Sequence, residues 1–184
     1  MVAQPADITG FWRNAGPDKW FAKDDDFDAA IQLMFEPTHH AAARGEYDRW
    51  IETPDGALAL LILLDQFPRN LYRGSGHAFA TDSLARKFAR DAVERGHDTA
   101  TDTATRQFFY LPFTHSEAMA DQDLGLALYQ ALADETKDPE AAKWTNVHRD
   151  IIVRFGRFPH RNRALGRATT PEEQAFLDEG GFAG

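Results

Sequence analysis

Residues 53–71, TPDGALALLILLDQFPRNL, contain a helix start, an apolar block and a proline, in that order. Thr53 is a typical N-cap residue, and Pro54 suits the first helical position because its missing N–H has no intrahelical partner there. Residues 57–64 are all apolar, so a helix built from them is apolar on nearly every side and must lie at the centre of the molecule. Pro68 is expected to end this helix, since proline cannot donate the next backbone hydrogen bond.

Apolar residues recur at helical spacing along the whole chain, and no window alternates like a half-buried strand for more than a few residues. Acidic residues at 24–26 precede one such helix, which Pro37 is expected to kink or split. Thr170 and Glu173 match a capping box at the start of a short final helix. Short connections make successive helices antiparallel neighbours. We therefore predict one all-α domain over residues 1–184, with seven or eight helices in stacked antiparallel hairpins.

Composition restricts the compartment and the chemistry. The chain has no Cys, which excludes disulfide scaffolds, thiolate metal sites and cysteine nucleophiles. Its longest apolar run, residues 57–64, is far shorter than the roughly 20 residues that span a bilayer. The first residues lack the basic start and the apolar run of a signal peptide. We expect a soluble, cytoplasmic protein without a membrane partner.

Several common chemical motifs are missing from the sequence. It holds no phosphate-binding GxxxxGK[ST] loop, no GxGxxG after a strand and no GxSxG elbow, so nucleotide-phosphate and serine-hydrolase chemistry lack support. The pair His39 and His40 has no third ligand at helical spacing, and no HExxH motif occurs. We predict neither a metal site nor a cofactor.

The charge of the chain is unevenly distributed. The formal net charge is −9, from 20 basic and 29 acidic residues, which argues against nucleic-acid binding because phosphate repels an acidic surface. Residues 148–167, however, hold six arginines against one acid. The planar guanidinium group of arginine suits carboxylate or phosphate and tolerates partial burial. These arginines form either an anion site or internal ion pairs with the surplus acids.

Two turns share a Phe-Pro dipeptide followed by Arg and Asn, in DQFPRN at 65–70 and in GRFPHRN at 156–162. Helix-stop chemistry explains the proline and the asparagine of each turn, but it does not explain the arginine. We therefore predict that the two turns together line a site for an anionic small molecule or an acidic peptide. The predicted ligand-binding residues are Arg69, Asn70, Arg157, Arg161 and Asn162.

Four residues are candidates for acid/base catalysis at this site. His115 and Glu117 follow the proline break at Pro112, and a carboxylate within reach of an imidazole would orient it and raise its pKa. His160 is an alternative base in the second turn. Asp65 is an alternative carboxylate, but its place near a helix C-terminus, where the dipole is negative, equally predicts a structural ion pair with an arginine.

Three motifs resemble those of a large, mostly bacterial family classed as a domain of unknown function. They are LDQFPRN at 64–70, YLPF followed by HSE within 110–117, and FGRFPHRN at 155–162. The resemblance implies a tetratricopeptide-like helical fold and no assigned activity, so it gives no residue a role. Two functions stay open: a helical-hairpin binding module for an anionic partner, and an enzyme that uses His/carboxylate acid/base catalysis on a small anionic substrate. Neither indicates an oligomeric state.

Overall fold

The computed structural model of this protein describes residues 3–182, which form helices and turns without a β-strand among them. The predicted all-α class is therefore confirmed. Eight of the α-helices in this range have eight or more residues, in agreement with the seven or eight predicted. Within the same range every helix is too short or too polar to cross a bilayer. The stacking of these helices in tetratricopeptide-like hairpins stays a prediction.

The α-helices in chain order are α1 Pro5–Ala15, α2 Pro17–Trp20, α3 Asp25–Ala43, α4 Pro54–Leu61, α5 Phe67–Leu71, α6 Asp82–Glu94, α7 Thr103–Thr114, α8 Met119–Thr136, α9 Lys143–Phe155 and α10 Pro171–Asp178. Short 3₁₀ helices occupy Asp48–Glu52, Gly76–Phe79, Pro139–Ala142 and Pro159–Arg161, and one π-helix occupies Ile62–Gln66.

The described residues form two compact units. The first unit comprises residues 3–73 and 77–112, and the second comprises residues 74–76 and 113–182. Each of the two Phe-Pro turns thus belongs to a different unit. The single domain over residues 1–184 and the joint site of the two turns stay predictions.

Helix α4 lies at the centre of the first unit, as its apolar sequence predicts. The Thr53 hydroxyl accepts the N–H of Gly56 at 3.2 Å and caps the helix start. Residues 57–64 are fully buried. Just beyond this apolar block, at the start of α5, Phe67 packs against the rings of Trp12 and Phe35 at centroid distances of 5.7 and 5.2 Å. Burial of apolar surface on all sides therefore fixes this helix in place.

The predicted end of the central helix at Pro68 is wrong. The chain continues from α4 through the π-helix Ile62–Gln66 into α5, where Pro68 is the second residue. The N–H of Phe67 donates to the carbonyl of Ile62, five residues back. The extra residue in this turn lets the helix accommodate a proline near the start of its next segment.

Side chains replace the backbone donor that Pro68 lacks. Proline at this position would face the carbonyl of Leu64 in an α-helix and that of Leu63 in a π-helix, but it has no N–H to donate. The Nδ1 atom of His39 lies 2.8 Å from the Leu63 oxygen, and the Thr81 hydroxyl donates to the Leu64 oxygen at 2.6 Å. Buried carbonyls need such partners, so this turn determines the positions of His39 and Thr81.

Helix α3 carries His39 and runs unbroken through Pro37, so the predicted split does not occur. Asp24 caps its start by accepting the N–H groups of Asp26 and Phe27. Pro37 lies on the exposed side of the helix. Solvent can satisfy the carbonyl left without a donor there, whereas the buried face holds the helix against the core.

The second unit has a small core of Ile151, Ile152 and Phe158. Partly buried side chains pack against it, among them Met119, Val147, Phe155, Phe176 and Phe182. Gly156 ends α9 in the left-handed conformation, with a φ of 68° that suits glycine. The predicted capping box of α10 is present, since Thr170 and Glu173 satisfy each other's backbone N–H groups.

Truncation of Leu61 to alanine tests whether α4 is the central helix. Leu61 is fully buried, and we expect Leu61→Ala to lower the free energy of unfolding by about 2–5 kcal/mol through lost burial and a residual cavity. Leu33 is 86% exposed, so Leu33→Ala should change it by less than about 0.5 kcal/mol. Urea denaturation measures both. Equal effects of the two substitutions would contradict a central α4.

Candidate functional site

A pocket of about 360 Å³ opens in the first unit beside the π-helix. This volume falls within the range of small-molecule sites. Helix α3, the end of α5 and the 3₁₀ helix Gly76–Phe79 with the two residues after it supply its walls. We call it the histidine pocket, and its lining residues are Glu36, His39, His40, Ala43, Tyr72, His77, Ala80 and Thr81.

His39 is held as a neutral imidazole with a defined tautomer. Because the carbonyl oxygen of Leu63 can only accept, the Nδ1 atom of His39 carries the proton of that hydrogen bond. The Nε2 atom therefore keeps a lone pair. Burial lowers the pKa of His39 below its usual value, although the bond to Leu63 opposes the shift. The group is a proton acceptor at neutral pH.

Tyr72 links two other polar groups of the pocket. Its hydroxyl donates its single proton to Oε1 of Glu36 at 3.1 Å. The Nε2 atom of His40 lies 3.2 Å from the same hydroxyl oxygen and must be the donor of that bond. Burial, together with the hydrogen bond to the Glu36 carboxylate, raises the pKa of Tyr72 to about 12. The phenol thus stays protonated across the physiological range.

Imidazole rings surround the phenol ring of Tyr72. Centroid distances from this ring are 5.9 Å to His39, 6.4 Å to His40 and 5.8 Å to His77. The small side chains of Ala43 and Ala80 complete the lining. The pocket therefore combines aromatic rings, N–H and O–H donors and the Nε2 lone pair of His39, and such groups can transfer a proton to or from a bound molecule.

Three predicted site residues belong to the first unit, and all three have internal partners. The side chain of Asp65 is only 1% exposed and lies 3.4 Å from the Arg69 guanidinium, so the predicted arginine partner of Asp65 is confirmed. Arg69 also donates two hydrogen bonds to the Asp82 carboxylate, at 3.1 and 3.2 Å. The Asn70 amide donates to Asp28 at 2.7 Å. The Arg69 charge is thus compensated within the protein.

Arg157 and Asn162 converge on Glu173 in the second unit. Two guanidinium nitrogens of Arg157 bond the Glu173 carboxylate at 2.6 and 2.9 Å, and the Asn162 amide adds a third bond at 3.1 Å. The bonds from Arg157 are the main cause that lowers the pKa of Glu173 to about 2. This group fastens the second Phe-Pro turn to α10.

The α7–α8 connection binds the same turn through the Glu117 side chain and the His115 carbonyl. Glu117 accepts the Phe158 N–H at 2.8 Å and two bonds from the Arg167 guanidinium at 2.7 and 3.0 Å. The Arg161 guanidinium donates to the backbone oxygen of His115 at 3.0 Å and stacks over the Phe158 ring at 4.5 Å. The second unit therefore brings most of the predicted side chains together, largely through contacts that stabilise the turn.

His160 is poorly matched to acid/base work at neutral pH. Its ring packs against Phe158 and Phe182, at centroid distances of 5.5 and 5.2 Å. Burial, reinforced by the nearby Arg161 charge, lowers the pKa of His160 to about 3. A useful base has a pKa close to the working pH. The catalytic roles of His115, Glu117, His160 and Asp65 stay predictions, and the histidine pocket is the better candidate.

Sequence reasoning missed the histidine pocket because it considered His39 and His40 only as metal ligands. Between residues 3 and 182, no group of three or more His, Asp or Glu side chains is arranged to hold a metal ion. The one sequence feature that points to this pocket is Pro68. A proline that interrupts a fully buried helix leaves carbonyls without donors, and these carbonyls require polar side chains from elsewhere in the chain.

Comparison with known proteins gives a family but no activity. Residues 8–181 match the model of a family described as a bacterial protein of unknown function, DUF924. A solved structure of a protein of unknown function, ATU0120 from Agrobacterium tumefaciens, shares 51% sequence identity and a TM-score of 0.90, covering 95% of this chain and 97% of that chain. A search of curated proteins found no match. The family resemblance of the sequence motifs is thus confirmed.

The Glu173 group makes stability depend on pH in a defined window. Glu173 has a normal pKa of 4.5 when unfolded and about 2 when folded, so its contribution is complete above pH 4.5 and lost as the pH falls towards 2. We expect Glu173→Gln to flatten the fall in unfolding free energy across this window. Glu172 is the exposed neighbour of Glu173, so Glu172→Gln should leave the fall in unfolding free energy unchanged. Urea unfolding at stepped pH measures both, and identical curves would contradict the assignment.

Proposed function

We propose that this chain, which belongs to the bacterial DUF924 family, is an enzyme that transfers a proton on a small anionic substrate bound in the histidine pocket. One observation carries the proposal: a neutral His39 with a free lone pair and a protonated Tyr72 line the same pocket. An acid/base enzyme is one of the two functions predicted from the sequence. The residues proposed here as acid and base, Tyr72 and His39, differ from the four candidates that the sequence predicts.

His39 is the base in this proposal. Its Nδ1–H bond to the Leu63 carbonyl keeps Nε2 available to accept a proton, and it also fixes the direction of the ring. Protonation would place a positive charge in a buried position, where Glu36 is the nearby carboxylate that favours it. The carboxylate thus compensates part of the desolvation cost while the substrate holds its negative charge.

Tyr72, supported by His40, binds the oxygen that gains negative charge. A phenol with a pKa of about 12 is a donor and not a base at neutral pH. The hydroxyl can turn from Glu36 to a substrate oxygen, while the His40 N–H bond to the phenol oxygen supports the polarised group. Donors directed at a developing charge lower the barrier of proton abstraction next to a carbonyl group.

The dimensions of the pocket indicate the substrate class. Its volume of about 360 Å³ lies near the lower limit for ligand pockets, so the substrate is a small molecule. The rings of His39 and Tyr72, with centroids 5.9 Å apart, lie close enough for one small substrate to contact both. The exposed imidazole of His77 also lines the pocket, and imidazole nitrogens bind carboxylate and phosphate oxygens. We therefore propose a small carbonyl compound with one anionic group.

The binding module for an anionic small molecule or acidic peptide is less well supported. It relies on arginines, and Arg69 and Arg157 each bond a buried carboxylate of the chain itself. We therefore prefer the enzyme to the binding module as the proposed function. We also propose that the protein is cytoplasmic, as predicted from the sequence.

Hydrogen exchange at carbon tests the proposed reaction. In D₂O, we expect the protein to catalyse C–H to C–D exchange at the carbon next to the carbonyl group. The substrates are a panel of small keto acids and carbonyl phosphates, and proton NMR measures the loss of the C–H signal. Tyr72→Phe removes only the hydroxyl and should slow the exchange by at least about 100-fold, as should His39→Gln. Tyr47→Phe is the matched control, because Tyr47 lies in the same unit and does not line the pocket.

Two results would contradict the proposed function. Wild-type protein that exchanges no member of the panel above the buffer rate would exclude proton abstraction from this substrate class. Exchange by Tyr72→Phe at the wild-type rate would remove the histidine pocket as its location. The melting temperature of each variant shows whether the fold is intact.

A further inference from the structure

A pocket of about 250 Å³ lies in the second unit between α9, α10 and the residues that follow α10. We call it the α9 pocket. Its walls are apolar and come from Val147, Ile151, Phe155, Phe176 and Phe182. Two charged side chains, Asp150 and Arg154, also line it. Apolar walls with a few charged groups are typical of sites for small organic ligands.

The guanidinium group of Arg154 is held in place by aromatic rings. It stacks over Phe155 at 4.6 Å and over Phe176 at 5.6 Å from the ring centroids. Among the residues that the structure describes, Arg154 has neither an ion-pair partner nor a hydrogen-bond partner. Stacking orients the planar group but leaves its N–H donors available. An arginine in this state suits the carboxylate of a ligand.

Asp150 precedes Arg154 by one helical turn, so the two side chains start from the same face of α9. They do not form a salt bridge with each other, and within residues 3–182 Asp150 pairs with no other cation. The α9 pocket therefore presents one negative and one positive group beside an apolar wall. A ligand that matches it carries both charges and an apolar part.

We propose that the α9 pocket binds a free apolar α-amino acid. The ligand carboxylate would bind the Arg154 guanidinium, its ammonium group would bind Asp150, and its side chain would lie against Phe155, Phe176 and Ile151. The volume of about 250 Å³ is below the usual range for larger ligands and suits a molecule of this size. The α9 pocket lies in the second unit and shares no lining residue with the histidine pocket.

The charge pattern distinguishes an amino acid from simpler apolar ligands. A fatty acid would satisfy Arg154 but would bring its carboxylate close to Asp150. An alkyl amine would satisfy Asp150 and be repelled by Arg154. Only a zwitterion pairs with both groups, and neighbouring opposite charges on the ligand are what an α-amino acid provides.

Calorimetric titration of the full chain with four probes tests this proposal. L-Leucine and L-phenylalanine should bind saturably. The probe 4-methylpentanoate lacks the ammonium group, and isoamylamine lacks the carboxylate. Each should bind at least about tenfold more weakly than L-leucine, because a charge-assisted contact is lost. Absence of saturable binding for both amino acids, or equal affinity for leucine and either analogue, would overturn the proposal.

Two substitutions locate the binding. Arg154→Gln should weaken L-leucine at least about tenfold. Asp150→Asn should remove the preference for L-leucine over 4-methylpentanoate. Arg163→Gln is the matched control, since Arg163 is an exposed arginine of the same unit outside the pocket. Unchanged leucine affinity in Arg154→Gln would overturn the assignment to the α9 pocket, and the probe comparison on wild-type protein stays decisive if a variant fails to fold.

Discussion

The first unit depends on the hydrogen bonds to two buried carbonyl groups near Pro68, those of Leu63 and Leu64. A carbonyl in a dry interior costs free energy unless it accepts a hydrogen bond, and proline removes the backbone donor that would supply one. The protein meets this requirement with His39 on α3 and Thr81 before α6. Three segments distant in sequence are thereby joined at one turn of the most deeply buried helix.

The same hydrogen bond that completes the central helix also prepares the proposed chemistry. By donating through Nδ1 to Leu63, His39 satisfies the fold and retains the lone pair on Nε2. Burial keeps it neutral, while burial and the Glu36 carboxylate keep the Tyr72 phenol protonated. An acceptor and a donor of protons therefore coexist in one pocket at neutral pH. In the second unit, by contrast, Arg157 and Arg167 bond to Glu173 and Glu117 and serve the turn that they surround.

The sequence predicts what depends on local patterns. The all-helical class, the Thr53 cap, the capping box at Thr170 and the arginine partner of Asp65 follow from helical spacing, capping chemistry and the helix dipole. The continuation of the helix past Pro68 does not, because the side chains that bond its carbonyls are distant in sequence: His39 lies 24 positions before Leu63, and Thr81 lies 17 positions after Leu64. The histidine pocket escaped prediction for the same reason, since His39 and Tyr72 meet only in the folded chain.

Nitrogen NMR of the histidine side chains tests the central claim most directly, because it reads both the tautomer and the pKa of His39 in the intact protein. The account predicts a proton on Nδ1, a lone pair on Nε2 and a pKa below the usual value of 6.5. Thr81→Val should leave this tautomer unchanged, since Thr81 bonds the other carbonyl. A proton on Nε2 of neutral His39, or a pKa at or above 6.5, would contradict the account.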